Sequence, residues 1–174
     1  MQNKERYLVF QIDNKSFAID IDRVKKVIKE KGNSLKITPL DQAPKQVIGI
    51  AEVEITQNEK KLITFIDLRK ISDVEDFLHE QDIRKPEHDA VQDEFKRRIF
   101  VVISYPEKEE YVGMLVSKVE GIVDFANGKN AIFYDVPNIK GVRDLFSDVI
   151  IPHGTERKIF VLRAEKIFEI SSVA

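Results

Sequence analysis

The chain has no cysteine. That removes disulfides, thiolate metal sites and thiol nucleophiles together, and it suits a reducing compartment. Glycine is scarce, and its positions (32, 49, 113, 121, 128, 141 and 154) are dispersed. None forms a phosphate-cradling loop ahead of a Lys-Ser or Lys-Thr pair. No serine sits in a Gly-x-Ser-x-Gly elbow. Charge of one sign is also missing: 28 basic and 30 acidic residues leave a net −2, so no global field favours nucleic acid. Long hydrophobic runs are absent too, and nothing approaches the roughly 20 residues that span a bilayer. The polar Met1-Gln2-Asn3-Lys4-Glu5-Arg6 start leads into a short apolar run without the stretch or cleavage site of a signal peptide. The expectation is a cytoplasmic protein with no direct membrane insertion, in which Asn14-Lys15-Ser16 matches a glycosylation acceptor by chance.

Candidate catalytic groups are few. His79 with Glu80 and Asp82, and His88 with Asp89, have ligand-forming chemistry, but both groups fall in a charged stretch where a solvated polar face is the simpler reading. Glu109-Glu110 sits at a hairpin tip, where a carboxylate pair lacks the burial that shifts pKa values. Lys96-Arg97-Arg98 has no interleaved aromatics and reads as a solvated strand entry or a salt-bridge partner of the acidic loop. No catalytic, metal or cofactor site is expected.

What is present is a series of short apolar runs, many β-branched or aromatic. Tyr7-Leu8-Val9-Phe10 is followed by Phe17-Ala18-Ile19-Asp20-Ile21-Asp22, which alternates with period two; turn material at Asn14-Lys15 makes the pair a hairpin. Val24, Val27 and Ile28 then fall at helical spacing with Asp22 as a possible N-cap, which predicts a short helix. Further strands are predicted at 47–53, 62–66, 99–103, 111–116, 119–125 and 159–162. Ser72-Asp73-Val74-Glu75 has the form of a capping box with Val74, Phe77 and Leu78 behind it, and Glu165-Lys166-Ile167-Phe168 can start a last short helix. Residues 82–98, charged and holding Pro86, read as an exposed connecting loop.

This loop divides the chain into halves of similar plan. Each runs through a strand and a hairpin, then the helical stretch at Val24 in one and Val119-Glu120-Gly121-Ile122-Val123 in the other, to a glycine-containing apolar segment, Val47-Ile48-Gly49-Ile50 in one and Ile139-Lys140-Gly141-Val142 in the other. Both then end in a strand followed by a polar stretch. The ordered series points to two barrels of common plan, each small for independent stability.

One ordered series of motifs spans the chain: Tyr7-Leu8-Val9-Phe10-Gln11-Ile12, Phe17 to Val24, Ile37-Thr38-Pro39-Leu40 with Ala43-Pro44, Val47-Ile48-Gly49-Ile50, Phe65-Ile66-Asp67-Leu68-Arg69-Lys70, Val112-Gly113-Met114-Leu115-Val116 with Val119, and Ile139-Lys140-Gly141-Val142. In this order the motifs resemble those of the CheW family of chemotaxis coupling proteins. The resemblance implies a mostly β fold of two SH3-like five-stranded barrels with short helices. It implies one domain over 1–174, with subdomains near 10–75 and 95–160 that exchange strands at their ends. The implied function is a non-enzymatic adaptor between chemoreceptors and the regulatory domain of a CheA-type histidine kinase. The alternative is a divergent accessory scaffold that binds the kinase with receptor binding lost or altered. Val24, Lys25, Lys26, Gly49 and Glu54 fall where the family faces its receptor, and Gly141 and Val142 where it faces the kinase; for Val24, Val27 and Ile28 core packing competes with that reading. The chain departs from the family at Glu54, which stands in place of an arginine, and at Lys26, in place of a frequent acid. This suggests a swapped Lys26–Glu54 ion pair that alters partner preference. The hairpin through Thr56-Gln57-Asn58-Glu59-Lys60-Lys61 and the connection from Phe146 to Lys158 are also longer than the family's.

Overall fold

A computed structural model describes residues 4–31, 35–79, 98–105 and 107–172. Glu80, Asp82, His88, Asp89, Lys96, Arg97 and nearly all of the expected 82–98 loop lie outside these. Among the described residues, eleven strands and two α-helices follow in chain order: β1 Lys4–Ile12, β2 Lys15–Asp20, β3 Val24–Lys29, β4 Val47–Thr56, β5 Glu59–Ile66, α1 Ser72–His79, β6 Ile99–Tyr105, β7 Glu110–Val116, β8 Lys118–Ala126, β9 Ala131–Tyr134, β10 Phe146–Pro152, β11 Ile159–Leu162 and α2 Ala164–Ile170.

The strands form two curled sheets, one ordered β8-β1-β2-β11-β10-β9 and the other β3-β6-β7-β5-β4. Each contains strands from both halves of the chain. The β1–β2 hairpin sits between β8 and β11, and the β6–β7 hairpin between β3 and β5. The pairing senses repeat as well: β2 is parallel to β11 as β7 is parallel to β5, and β1 is antiparallel to β8 as β6 is antiparallel to β3. The halves therefore trade their first hairpins.

This arrangement explains the unbroken apolar runs. Along β1, Tyr7 and Val9 enter a cluster with Ala18, Phe125, Ile150 and Val161 inside the six-stranded sheet. Leu8 and Phe10 enter the main core between the sheets. On β6, Phe100 and Val102 pack inside the five-stranded sheet, while Val101 and Ile103 face the main core. A strand buried on both faces has no polar side to show. Each such side chain contributes about 1.5–3 kcal/mol on burial. Helix α1 adds Val74, Phe77 and Leu78 to the main core, and α2 adds Ile167 and Phe168.

Three expectations are corrected. Residues 24–29 form a strand, not a helix, paired with β6. A register shift sets Val24 against Ile103 and Lys26 against Val102, so two steps on β3 match one on β6. This bulge turns both Val24 and Val27 towards the main core and so imitates a helical three-residue spacing. Asp20, not Asp22, acts as a cap: its carboxylate accepts from the Asp22 backbone N–H at the head of a short 3-10 turn. The extended connection after Phe146 is largely β10, and β9 beside it gives that sheet a sixth strand.

Finally, Gly49 and Gly141 are not counterparts. The Asp67 N–H donates to the Gln46 carbonyl, and the Arg163 N–H donates to the Leu145 carbonyl. This equivalence aligns the start of β4 with the start of β10. Gly49 lies within β4, whereas Gly141 lies in the turn ahead of β10.

Candidate protein-interaction faces

The two edges of the five-stranded sheet, β3 and β4, approach each other as the sheet curls. One contact across this seam is the Lys26 ammonium donating to the Glu54 backbone carbonyl at 2.9 Å. The carboxylate of Glu54 is turned instead to the β4–β5 turn, where it accepts from the Asn58 N–H at 3.4 Å. The expected Lys26–Glu54 pair is thus corrected: the two residues meet, but the ammonium is held by a peptide dipole. Glu54 keeps its charge exposed on the surface, and so does Lys25 on the other side of the seam.

Val24 is half-buried against the main core. Its neighbour Arg23 points to α2, 3.6 Å from the Glu165 carboxylate and over the Tyr105 ring. Gly49 is buried. The backbone of Thr38 crosses over it, giving its N–H to the Ile50 carbonyl at 2.7 Å and accepting from the Ile50 N–H at 2.9 Å. The backbone angle at Gly49 is +156°, and an added Cβ would stand 2.2 Å from the Thr38 oxygen. Gly49 is therefore a close-approach glycine beneath the Ile37–Thr38 segment and presents no surface of its own. The seam brings Lys26 against Glu54 with Lys25 exposed beside it, whereas Val24 turns to the main core and Gly49 lies nearer the start of β4, under Thr38.

Gly141 and Val142 behave differently from each other. Gly141 is exposed, with φ +83° and an added Cβ only 2.2 Å from an Asp73 carboxylate oxygen. This turn therefore rests on the first turn of α1. Val142 is fully buried in the main core, so it anchors the turn from within.

Two polar junctions were not anticipated as structural features. Buried Asp67 accepts from the Arg69 backbone N–H and from its Nε and Nη2, each at 3.0 Å. Arg69 Nη1 stands 3.6 Å from Asp13 in the β1–β2 turn, which ties one sheet's hairpin to the turn that follows β5 of the other sheet. The Asp67-Leu68-Arg69 signal was legible only as a shared motif. In the second junction the Glu30 carboxylate, fully buried, meets Arg98 at 2.9 Å; residues 30 and 98 are too far apart in sequence for any local pattern to link them.

Electrostatically, the largest perturbation lies elsewhere. The Tyr7 phenol is pushed far above its usual range, first by burial and then by its hydrogen bond to Glu5, so it stays neutral and does no acid–base work near pH 7. Among the described residues, no group of three or more His, Asp or Glu side chains could hold a metal ion, and no helix is long and apolar enough to cross a membrane. His79 ends α1 with its Nε2 4.0 Å from Asp13. The arrangement offers surfaces and fixed charges for protein contact.

Comparisons agree with the architecture. The crystal structure of the scaffolding protein TtCheW from Thermoanaerobacter tengcongensis superposes with a TM-score of 0.64 at 16% identity, covering 100% of this chain and 98% of that one. At that identity the likeness speaks for the fold. No curated protein matches the chain. The family model of the CheW-like domain matches residues 6–171, nearly the whole sequence, and the chain belongs to this family of chemotaxis-signalling scaffold proteins.

Proposed function

We propose that this protein is a non-catalytic cytoplasmic adaptor that couples a chemoreceptor to the regulatory domain of a CheA-type histidine kinase. The observation that supports the reading is the β3–β4 seam, where Lys26 meets the Glu54 carbonyl and Lys25 lies exposed beside it. The kinase would be met at the exposed turn around Gly141, which Val142 anchors from within. With Lys26 held by a carbonyl, the free charges of the seam are Lys25 and the Glu54 carboxylate. A receptor suited to it places a cation near Glu54, since an acid there meets repulsion.

The test is isothermal titration of the protein with a CheA regulatory domain and, separately, with a receptor-tip fragment. Both should bind. Glu54→Arg should weaken receptor binding by roughly three- to tenfold and leave kinase binding unchanged. The longer β4–β5 hairpin and the reversed signs favour one second reading, an accessory scaffold that keeps the kinase and has lost the receptor. Kinase binding with no receptor binding would establish that reading, and binding of neither would refute both.

A further inference from the structure

The two edge strands of the six-stranded sheet, β8 and β9, are joined by the turn over residues 127–130. It opens with Asn127-Gly128, the one asparagine–glycine pair of the sequence. Both residues suit a turn, and Gly128 takes a φ of +85°. The same pair is the dipeptide best suited to deamidate itself, asparagine being a labile residue. With no side chain on Gly128, its amide nitrogen has an unhindered path to the Asn127 side-chain carbonyl carbon.

In the folded turn both reacting groups are engaged elsewhere. The Gly128 N–H donates to the Ala131 carbonyl at 2.8 Å. The Asn127 side-chain oxygen accepts from the Phe133 N–H at 3.1 Å, which holds the carboxamide towards β9. Asn130 clasps the end of β8 beside them: its Oδ1 accepts from the Ala126 N–H and its Nδ2 donates to the Asp124 carbonyl, each at 2.7 Å. Asn127 and Gly128 are exposed, so water reaches them freely. What restrains the reaction is the pair of hydrogen bonds, and these are released only when the turn opens.

We propose that Asn127 is a self-modification site gated by this turn: its carboxamide deamidates when the β8 and β9 ends part and stays intact while they are joined. The only co-reactant is water. The Gly128 nitrogen bonds to Asn127 Cγ, the Cγ–Nδ2 bond breaks, and ammonia leaves with the proton that Gly128 gives up. Water then opens the cyclic imide, its hydroxyl going to carbon and its proton to the Gly128 nitrogen. Breaking the bond to Cγ yields aspartate; breaking the bond to the main-chain carbonyl yields isoaspartate, in which the chain runs through the former side chain. Aspartate keeps an oxygen for the Phe133 N–H. Isoaspartate lengthens the backbone by a methylene and displaces that acceptor, so an opening of the turn is recorded covalently. The chemistry is independent of the adaptor reading.

The experiment ages the full chain at neutral pH with and without urea and follows Asn127 by peptide mapping, with fragmentation that distinguishes aspartate from isoaspartate. The folded chain should deamidate at least about fivefold more slowly than the unfolded one, the low end of what two released hydrogen bonds are worth. Isoaspartate should appear among the products in urea. Asn130→Ala removes both clasps and should speed the reaction in the folded chain about three- to tenfold. Circular dichroism shows whether that variant is folded, and the wild-type comparison decides without it. After refolding, the isoaspartate fraction should exchange its Phe133 amide faster than the aspartate fraction. A smaller ratio between unfolded and folded rates, aspartate without isoaspartate, an unchanged rate in a folded Asn130→Ala chain, or equal exchange in the two fractions each overturns the proposal.

Discussion

Replacing Gly49 by alanine should unfold the protein more readily without touching any partner directly. The new methyl would stand 2.2 Å from the Thr38 carbonyl oxygen and 2.9 Å from the Ile37 side chain, and the first obstacle is backbone, which has no rotamer to yield. Two outcomes are open to the molecule. If the Ile37–Thr38 segment moves away, the two hydrogen bonds that pair Thr38 with Ile50 are lost, at about 1 kcal/mol each. If it stays, the overpacking costs about 1–3 kcal/mol. In either case alanine must also adopt a backbone angle of +156°, a strain of about 1–3 kcal/mol. The expected loss is about 2–6 kcal/mol over the two routes, and at about 2–4 °C per kcal/mol for a chain of this size it lowers Tm by roughly 4–24 °C. Urea unfolding followed by circular dichroism measures it, with an unchanged slope showing that the denatured state is unaffected. Receptor binding, measured well below the new Tm and referred to the folded fraction, should fall only as far as the seam is displaced. A Gly49→Ala variant that loses less than about 0.5 kcal/mol yet fails to bind receptor would refute the reasoning.

Arg98→Met leaves the fully buried Glu30 carboxylate without its cation and should cost about 2–3 kcal/mol, below the 3–5 of a wholly buried pair because Arg98 is partly exposed. Adding Glu30→Met should recover most of that loss in urea unfolding, and a double variant as unstable as the sum of its singles would contradict it. Chains cut between residues 79 and 98 should give two fragments that are each unfolded alone and that assemble one-to-one on mixing, read by circular dichroism and sedimentation; a fragment folded by itself would disprove the hairpin exchange. In an alkaline titration followed near 295 nm, Tyr7 should stay protonated while exposed tyrosines ionise. Its folded pKa is raised, so its stabilising contribution is complete below about pH 10, the unfolded value, and is lost as pH rises beyond it. A Tyr7→Phe variant should lose less stability than wild type over that rise.

How far the sequence could be read depended on what each pattern encodes. Runs such as Ile99-Phe100-Val101-Val102-Ile103 announce strands because both faces are buried, β4 shows one buried face by alternation, and β1, β2, β4 to β8 and β11 were legible from apolar runs or alternation of this kind. Periodicity says which way a side chain points and not which strand lies next to it, so the pairing of β2 with β11 or β7 with β5 could be anticipated only through the family resemblance. A bulge disguised β3, since one extra residue turned an alternating strand into a helical spacing. In β10, the polar Ser147-Asp148 pair falls at a register shift against β11 and broke up the run. At the candidate site, Lys26 and Glu54 were correctly brought together, but no sequence reading distinguishes a carboxylate from the carbonyl of the same residue. Gly49 and Val142 were assigned to surfaces because their motifs are recognisable; burial beneath Thr38 and inside the main core is a property of the fold around them.

The exchanged hairpins bear directly on how a scaffold of this kind works. Two domains joined by a linker move against each other by default, unless a large apolar interface prevents it. Here the largest apolar cluster is that interface: it takes Leu8, Phe10 and Phe17 from one sheet, Val101, Ile103 and Met114 from the other, and Phe77 and Ile167 from the helices. Each hairpin is also hydrogen-bonded on both sides to strands of the opposite half. The seam on β3 and β4 is fixed to the β5 end by the sheet itself. The turn at Gly141 is fixed to the same frame, because it packs on Asp73 of α1, the helix that follows β5. The two faces thus sit on one rigid body, with Arg69 bracing Asp67 against the neighbouring hairpin turn. A substitution in the shared core, such as Met114→Ala, should therefore weaken kinase and receptor binding together, in proportion to the folded fraction. A seam charge such as Glu54 should affect one partner alone. Independent loss of one partner after a core substitution would mean that the barrels move separately, and that the coupling is a hinge rather than a bracket.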